Sequence, residues 1–158
     1  MPSIRHLVLG LSSIALLSLS AFADSALAGK NDDLYEGNNI FILYGGNGAI
    51  IQPRTTLEES KKRSQPVMLF FYVNDSRDAK QMSPVVSQLQ VNYEKQVNFI
   101  AINADAFVGF PEQKEARKYY QGKVPHMLIF DRTGKLTYSA LGVRPAPEVT
   151  AALKAVIP

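Results

Sequence analysis

The sequence predicts an α/β domain: a central mixed sheet flanked by helices, in the order β-α-β-α-β-β-α, preceded by an N-terminal extension with a hairpin. Three observations predict it. Val67 to Val73 (VMLFFYV) is a nearly continuous apolar run, the pattern of a strand buried on both faces. Met82, Val85, Val86, Leu89 and Tyr93 then recur at helical spacing. Met127–Phe130 and Leu136–Ala140 flank the five-residue turn Asp131-Arg132-Thr133-Gly134-Lys135. A helix between strands implies parallel pairing, and a short link implies an antiparallel hairpin.

Each element follows in chain order. Met1 to His6 carries Arg5 and precedes the apolar stretch Leu7 to Phe22 and the small-residue run ADSALAGK. That is the layout of a secretory signal, and Ala26-Leu27-Ala28 places the cut after Ala28. Residues 1–28 are therefore read as a signal peptide, with a retained membrane anchor as the alternative. The apolar stretch is about 16 residues, short of the roughly 20 that span hydrocarbon. Both readings imply export. Residues 29–66 form the extension. In it Ile40-Phe41-Ile42-Leu43-Tyr44 and Ala49-Ile50-Ile51 flank Gly45-Gly46-Asn47-Gly48, which predicts a hairpin. Thr56-Leu57-Glu58-Glu59 fits a capping box, so a short helix runs to about Arg63.

Residues 67–158 form the main domain. After the first strand a helix is expected from about Ala79 to Lys95, with Pro84 inside it removing one backbone bond and predicting a kink. Val97 to Asn103 reads as the next strand, and Glu112 to Tyr120 as a helix entered through Pro111. The last helix, about Ala146 to Val156, places Val149, Ala152, Leu153 and Val156 on one face.

Composition excludes several kinds of chemistry. A net charge of +3 is too small and scattered for nucleic acid, and Lys61-Lys62-Arg63 reads as a solvated helix face. The chain has no cysteine, which removes disulfides, thiolate catalysis and thiolate metal sites. Beyond the expected cut His126 is the sole histidine, so a multi-histidine metal site is excluded. Asp75, Asp78 and Asp105 lack calcium-ligand spacing. No Gly-Lys-Ser/Thr follows the glycines at 45–48, so they are not a phosphate loop. Neither a metal nor a cofactor is expected.

The element order and four residues within it resemble the thioredoxin family over about Val67 to Pro158. Pro84 follows Ser76 by eight residues, the family's spacing from first active-site cysteine to helix proline. Val124-Pro125-His126 matches the cis-proline segment, Gly134 the hairpin glycine, and Gly142 the glycine before the last helix. The resemblance implies a thioredoxin-like fold. It places Ser76 and Ala79 at the two cysteines, Asp75 at the tryptophan, Phe70 at the buried aspartate and Ala101 at its lysine partner. Thiol–disulfide exchange needs a thiolate and a resolving thiol, and neither is present. More narrowly, NDDLYEGNNIFILYGGNG, FFYVNDSRDAKQMSPVVSQLQ and KVPHMLIFDRTGK resemble cyanobacterial thylakoid thioredoxin-like proteins described as photosystem I accumulation factors. That likeness implies a protein of the thylakoid lumen or the lumenal membrane face, with the periplasm as the alternative. It implies protein partners: photosystem I subunits or their assembly factors.

The expected function is a non-catalytic binding module. Its candidate partner-binding residues are Asp75, Ser76, Arg77 and Asp78 in the loop before the long helix, Val124, Pro125 and His126 at the cis-proline, and Phe107 and Phe110 in the added loop 106–111. Ser76 or Asp75 also suits an N-cap, and acids are favourable at a helix start. His126 serves equally as a packing residue, a partner contact or a pH sensor. Phe107 and Phe110 either anchor an interface or pack under the sheet. The rival readings are a non-thiol enzyme built on Ser76, which has no neighbouring base in sequence, and a structural accessory subunit of a membrane complex.

Overall fold

The computed structural model describes residues 39–50, 53–109 and 111–157. Residues 1–38, with the expected signal or anchor and its cut, lie outside the described residues, as do Ile51 and Phe110. The apolar run forms β1 (Val67–Tyr72), buried along its whole length. It pairs in parallel with β2 (Asn98–Asn103) and antiparallel with β3 (His126–Phe130), which pairs antiparallel with β4 (Leu136–Leu141). The order β2-β1-β3-β4 puts β1 and β3 inside a mixed sheet, which is why neither alternates in polarity.

Parallel pairing, expected wherever a helix separates two strands, holds for β1 and β2 but fails for β3. The second strand ends at Asn103 beside Tyr72, and β3 begins at His126 beside Phe71, so the connection returns to the end it left. It reaches the other end at Tyr119, whose ring meets Phe130 at 4.9 Å, and then doubles back. The helix expected over 112–120 shrinks to a 3-10 turn (Pro111–Gln113) and a four-residue helix (Lys114–Arg117).

Helices cover both faces. On one side lie α1 (Ile40–Leu43), α3 (Arg77–Tyr93) and α5 (Ala146–Lys154), over Met68, Phe70, Ala101, Met127 and Ile129. On the other, α2 (Leu57–Lys62) and α4 (Lys114–Arg117) cover Leu69, Phe71, Ile100, Ile102 and Leu128. The capping box at Thr56 and Glu59 forms with both reciprocal bonds. Ser76 caps α3, which begins two residues before the expected start and keeps Pro84 inside it.

The expected hairpin over Ile40–Ile51 is not there. Its first arm is the helix α1, and Gly48–Ile50 is a 3-10 turn. The cause is local capping plus tertiary packing. Asn39 Oδ1 accepts the Phe41 amide at 2.9 Å, and Ile40 and Phe41 are buried. Phe41 stands edge-on to Phe70 at 5.8 Å and Tyr72 at 5.2 Å. Burial of two large side chains overrides the β preference of the IFIL run. The segment seats on a polar stripe of α3. Ser83 Oγ donates to the Ile40 carbonyl at 3.3 Å, and Asn47 donates to Gln90 at 2.6 Å. Gly45 comes so close that a Cβ there would sit 2.3 Å from Ser87 Oγ.

Lys61 is not a solvated cation. Its ammonium pairs with Glu115 at 2.6 Å and lies over the Tyr119 and Phe130 rings, and its stem packs on Gly134, whose φ is 81°. No helix among the described residues is long and apolar enough to cross a membrane.

Candidate docking surface

The end of the sheet where β1 stops and β3 starts gathers most of the expected site residues. After Tyr72 the chain turns through Val73–Ser76, closed by the Ser76 amide donating to the Val73 carbonyl at 3.3 Å. Ser76 Oγ accepts the Ala79 amide at 3.2 Å, satisfying one of the orphan donors of α3. Asp75, Arg77 and Asp78 are exposed, with Asp78 in the first helical turn, where the helix dipole favours an acid. On the neighbouring strand the Val124–Pro125 bond is cis, as the family segment implies. The Pro125 carbonyl accepts the Gly142 amide at 2.8 Å, which ties the turn before α5 to the cis-proline. Among the described residues, neither the amide nor the carbonyl of Val124 joins a hydrogen bond.

The two site segments therefore leave adjacent strands at one end: Val73–Ser76 after β1, and Val124–Pro125 before His126, which pairs with Phe71. His126 itself is not available at the surface. It is fully buried, with Nε2 3.0 Å from Ser139 Oγ and its ring 6.1 Å from that of Phe71. Burial lowers its pKa, and Nδ1 is enclosed without a partner. A direct partner contact by this ring is thus corrected to a packing role. The alternation of β3 turns residue 126 inward, under the Phe107 and Tyr120 side of the sheet.

Phe107 packs down without vanishing. Its half-buried ring meets Phe71 at 6.0 Å and Tyr120 at 5.0 Å, and the Arg117 guanidinium lies 5.2 Å from its centroid. With half-buried Val124 and Tyr120 it rims the same cluster. Phe110 lies outside the described residues. The positions that match the family's buried acid and its lysine are register partners: Phe70 pairs with Ala101, both buried, under Phe41. No proton relay remains there.

Sequence reasoning missed two features near this end. One is Arg144, whose amide donates to Met82 Sδ at 3.4 Å; no motif marks it. The other is the α1 seat, for which Ser83 and Ser87 at i,i+4 beside two glycines were the available signal.

Comparison with known proteins agrees with this architecture. A family model described as a thioredoxin-like domain matches residues 53–157. The chain is 39% identical over 141 residues to thylakoid membrane protein slr1796 of Synechocystis sp., covering 86% of this chain and 68% of that one. It is 28% identical over 81 residues to a thiol:disulfide interchange protein TxlA homolog of the same organism, covering 51% of this chain and 43% of that one. Among solved structures, the thioredoxin NaTrxh from Nicotiana alata superposes with a TM-score of 0.54 at 19% identity, over 65% of this chain and 82% of that one. The chain belongs to the thioredoxin-like domain family, and does so without a single cysteine.

Proposed function

We propose that this chain is a non-catalytic thioredoxin-fold binding module that holds an extended segment of a protein client at the thylakoid membrane, on its lumenal face, in support of photosystem I accumulation. The observation that carries the reading is the unpaired backbone of Val124 beside an intact, capped loop at Ser76. An extended client segment pairs with such a backbone by strand addition, main chain to main chain. The loss of both thiols together with the buried acid and lysine supports binding over redox chemistry. Ser76 Oγ is occupied as a cap, and the described histidine is committed to Ser139, which speaks against a Ser76 nucleophile. The thylakoid assignment draws on the name of the 39%-identical relative; the photosystem assignment draws on the sequence motifs.

Photo-cross-linking from Asp75 or Asp78 in thylakoids, followed by identification of the adduct, tests the reading. Photosystem I subunits or assembly factors are the expected catch. Their absence, with normal photosystem I levels in a strain lacking the protein, sinks it.

A further inference from the structure

The turn before α5 carries a cation that the docking surface has so far left unused. It is stitched on one side to the cis-proline, through the Gly142 amide and Pro125 carbonyl at 2.8 Å. On the other side it is fixed to the first half of α3, through the Arg144 amide and Met82 Sδ at 3.4 Å. The Arg144 backbone thus bridges the two walls of the surface, and its charge is near enough to act on the Tyr138 hydroxyl. It is half-buried, and its Nε is enclosed with no hydrogen-bond partner. Among the described residues no carboxylate lies within ion-pair distance of it. The acid four residues on, Glu148, accepts the Tyr138 hydroxyl at 2.8 Å and forms no ion pair with Arg144. A guanidinium offers five donors in a planar fork suited to a carboxylate, and buried donors are ordinarily satisfied. Lys123, exposed and next to Val124, adds charge of the same sign on the cis-proline side, with the exposed Asp75 and Asp78 confined to the Ser76 loop.

We propose that Arg144 receives a carboxylate from the extended segment bound at Val124, so that the partner is an acidic peptide. The inference rests on the docking reading above, and adds the chemistry that selects the segment. Arg144 is a recognition residue in this assignment; the main chain of Val124 supplies the pairing.

Random short peptides displayed on phage and panned on the full chain test it. Selection on the wild type enriches Asp or Glu at one peptide position. Arg144→Leu loses that preference, and Arg144→Glu replaces it with Lys or Arg. In resynthesised peptides, changing the selected acid to its amide weakens binding about tenfold, and Arg144→Lys falls between wild type and Arg144→Leu. If instead C-terminal amidation weakens binding, the carboxylate is the peptide terminus, and the assignment of Arg144 stands. Thermal melting of each variant checks that folding is unchanged. Peptides that slow exchange of the Val124 amide yet show no acid preference overturn the Arg144 assignment alone. If no peptide bound at Val124 is recovered, the docking reading falls with it.

Discussion

His126 is placed by burial, and that makes its charge a liability. In the cation both ring nitrogens donate, and Nδ1 has no acceptor around it. Its folded pKa is lowered by burial below the ordinary value near 6.5. The unfolded chain therefore binds the extra proton first. Stability from this ring is complete above about pH 6.5 and is lost as pH falls towards the folded pKa, with a slope of at most about 1.4 kcal/mol per pH unit. Chemical unfolding at a series of pH values should show this fall, and His126→Gln should flatten it; equal slopes in both proteins would refute the assignment. At Ser76 the hydroxyl works as a cap. Ser76→Ala should cost about 1 kcal/mol of stability, and Ser76→Asp should restore most of it. Client binding should survive Ser76→Ala, whereas a nucleophile would not tolerate it.

At the scale of elements, α1 depends on how closely its loop can approach α3. A methyl group at Gly45 would collide with Ser87 Oγ and crowd the Phe41 and Ser83 carbonyls at 3.0 and 3.1 Å. Gly45→Ala should destabilise the fold by roughly 1–3 kcal/mol, the range for an overpacked contact. Hydrogen exchange should then rise first at the amides of Tyr44 and Asn47, which bond to Ile40 and Phe41. Ser87→Ala in the same chain should recover part of the loss. The elements written in local hydrogen bonds were legible from the sequence: the Thr56 box, the Ser76 cap and the Gly134 turn all need only neighbours. Residues 40–44 were not legible, because IFILY suits either structure and only Phe70 and Tyr72, far along the chain, decide it. The helix over 112–120 was overextended for a similar reason. Tyr119 and Tyr120 fit an apolar helix face, but they leave the helix to meet Phe130 and Phe71.

For the whole molecule, Lys61 joins three parts: α2, which bears it, α4 through Glu115, and the β3–β4 turn through Gly134. A double-mutant cycle on Lys61 and Glu115, read by denaturant unfolding, should give a coupling of roughly 1 kcal/mol. The Lys62–Glu58 pair, far more exposed, should give close to none. The architecture was legible because it follows from element order, while the family resemblance implied that the Ser76 loop and Pro125 lie at one end of the sheet. The direction of β3, the burial of His126 and the seat of Arg144 were not. Each depends on which face or end a distant segment covers. The Phe41–Phe70 contact also bears on what cysteines would do in this chain. Returning cysteines to positions 76 and 79 would restore two thiols but not the acid beside them. Phe70→Asp would set a carboxylate against the Phe41 ring, with Ala101 opposite and no lysine to pair with it. Two thiols at 76 and 79 would therefore face an aromatic pair where the family places its acid.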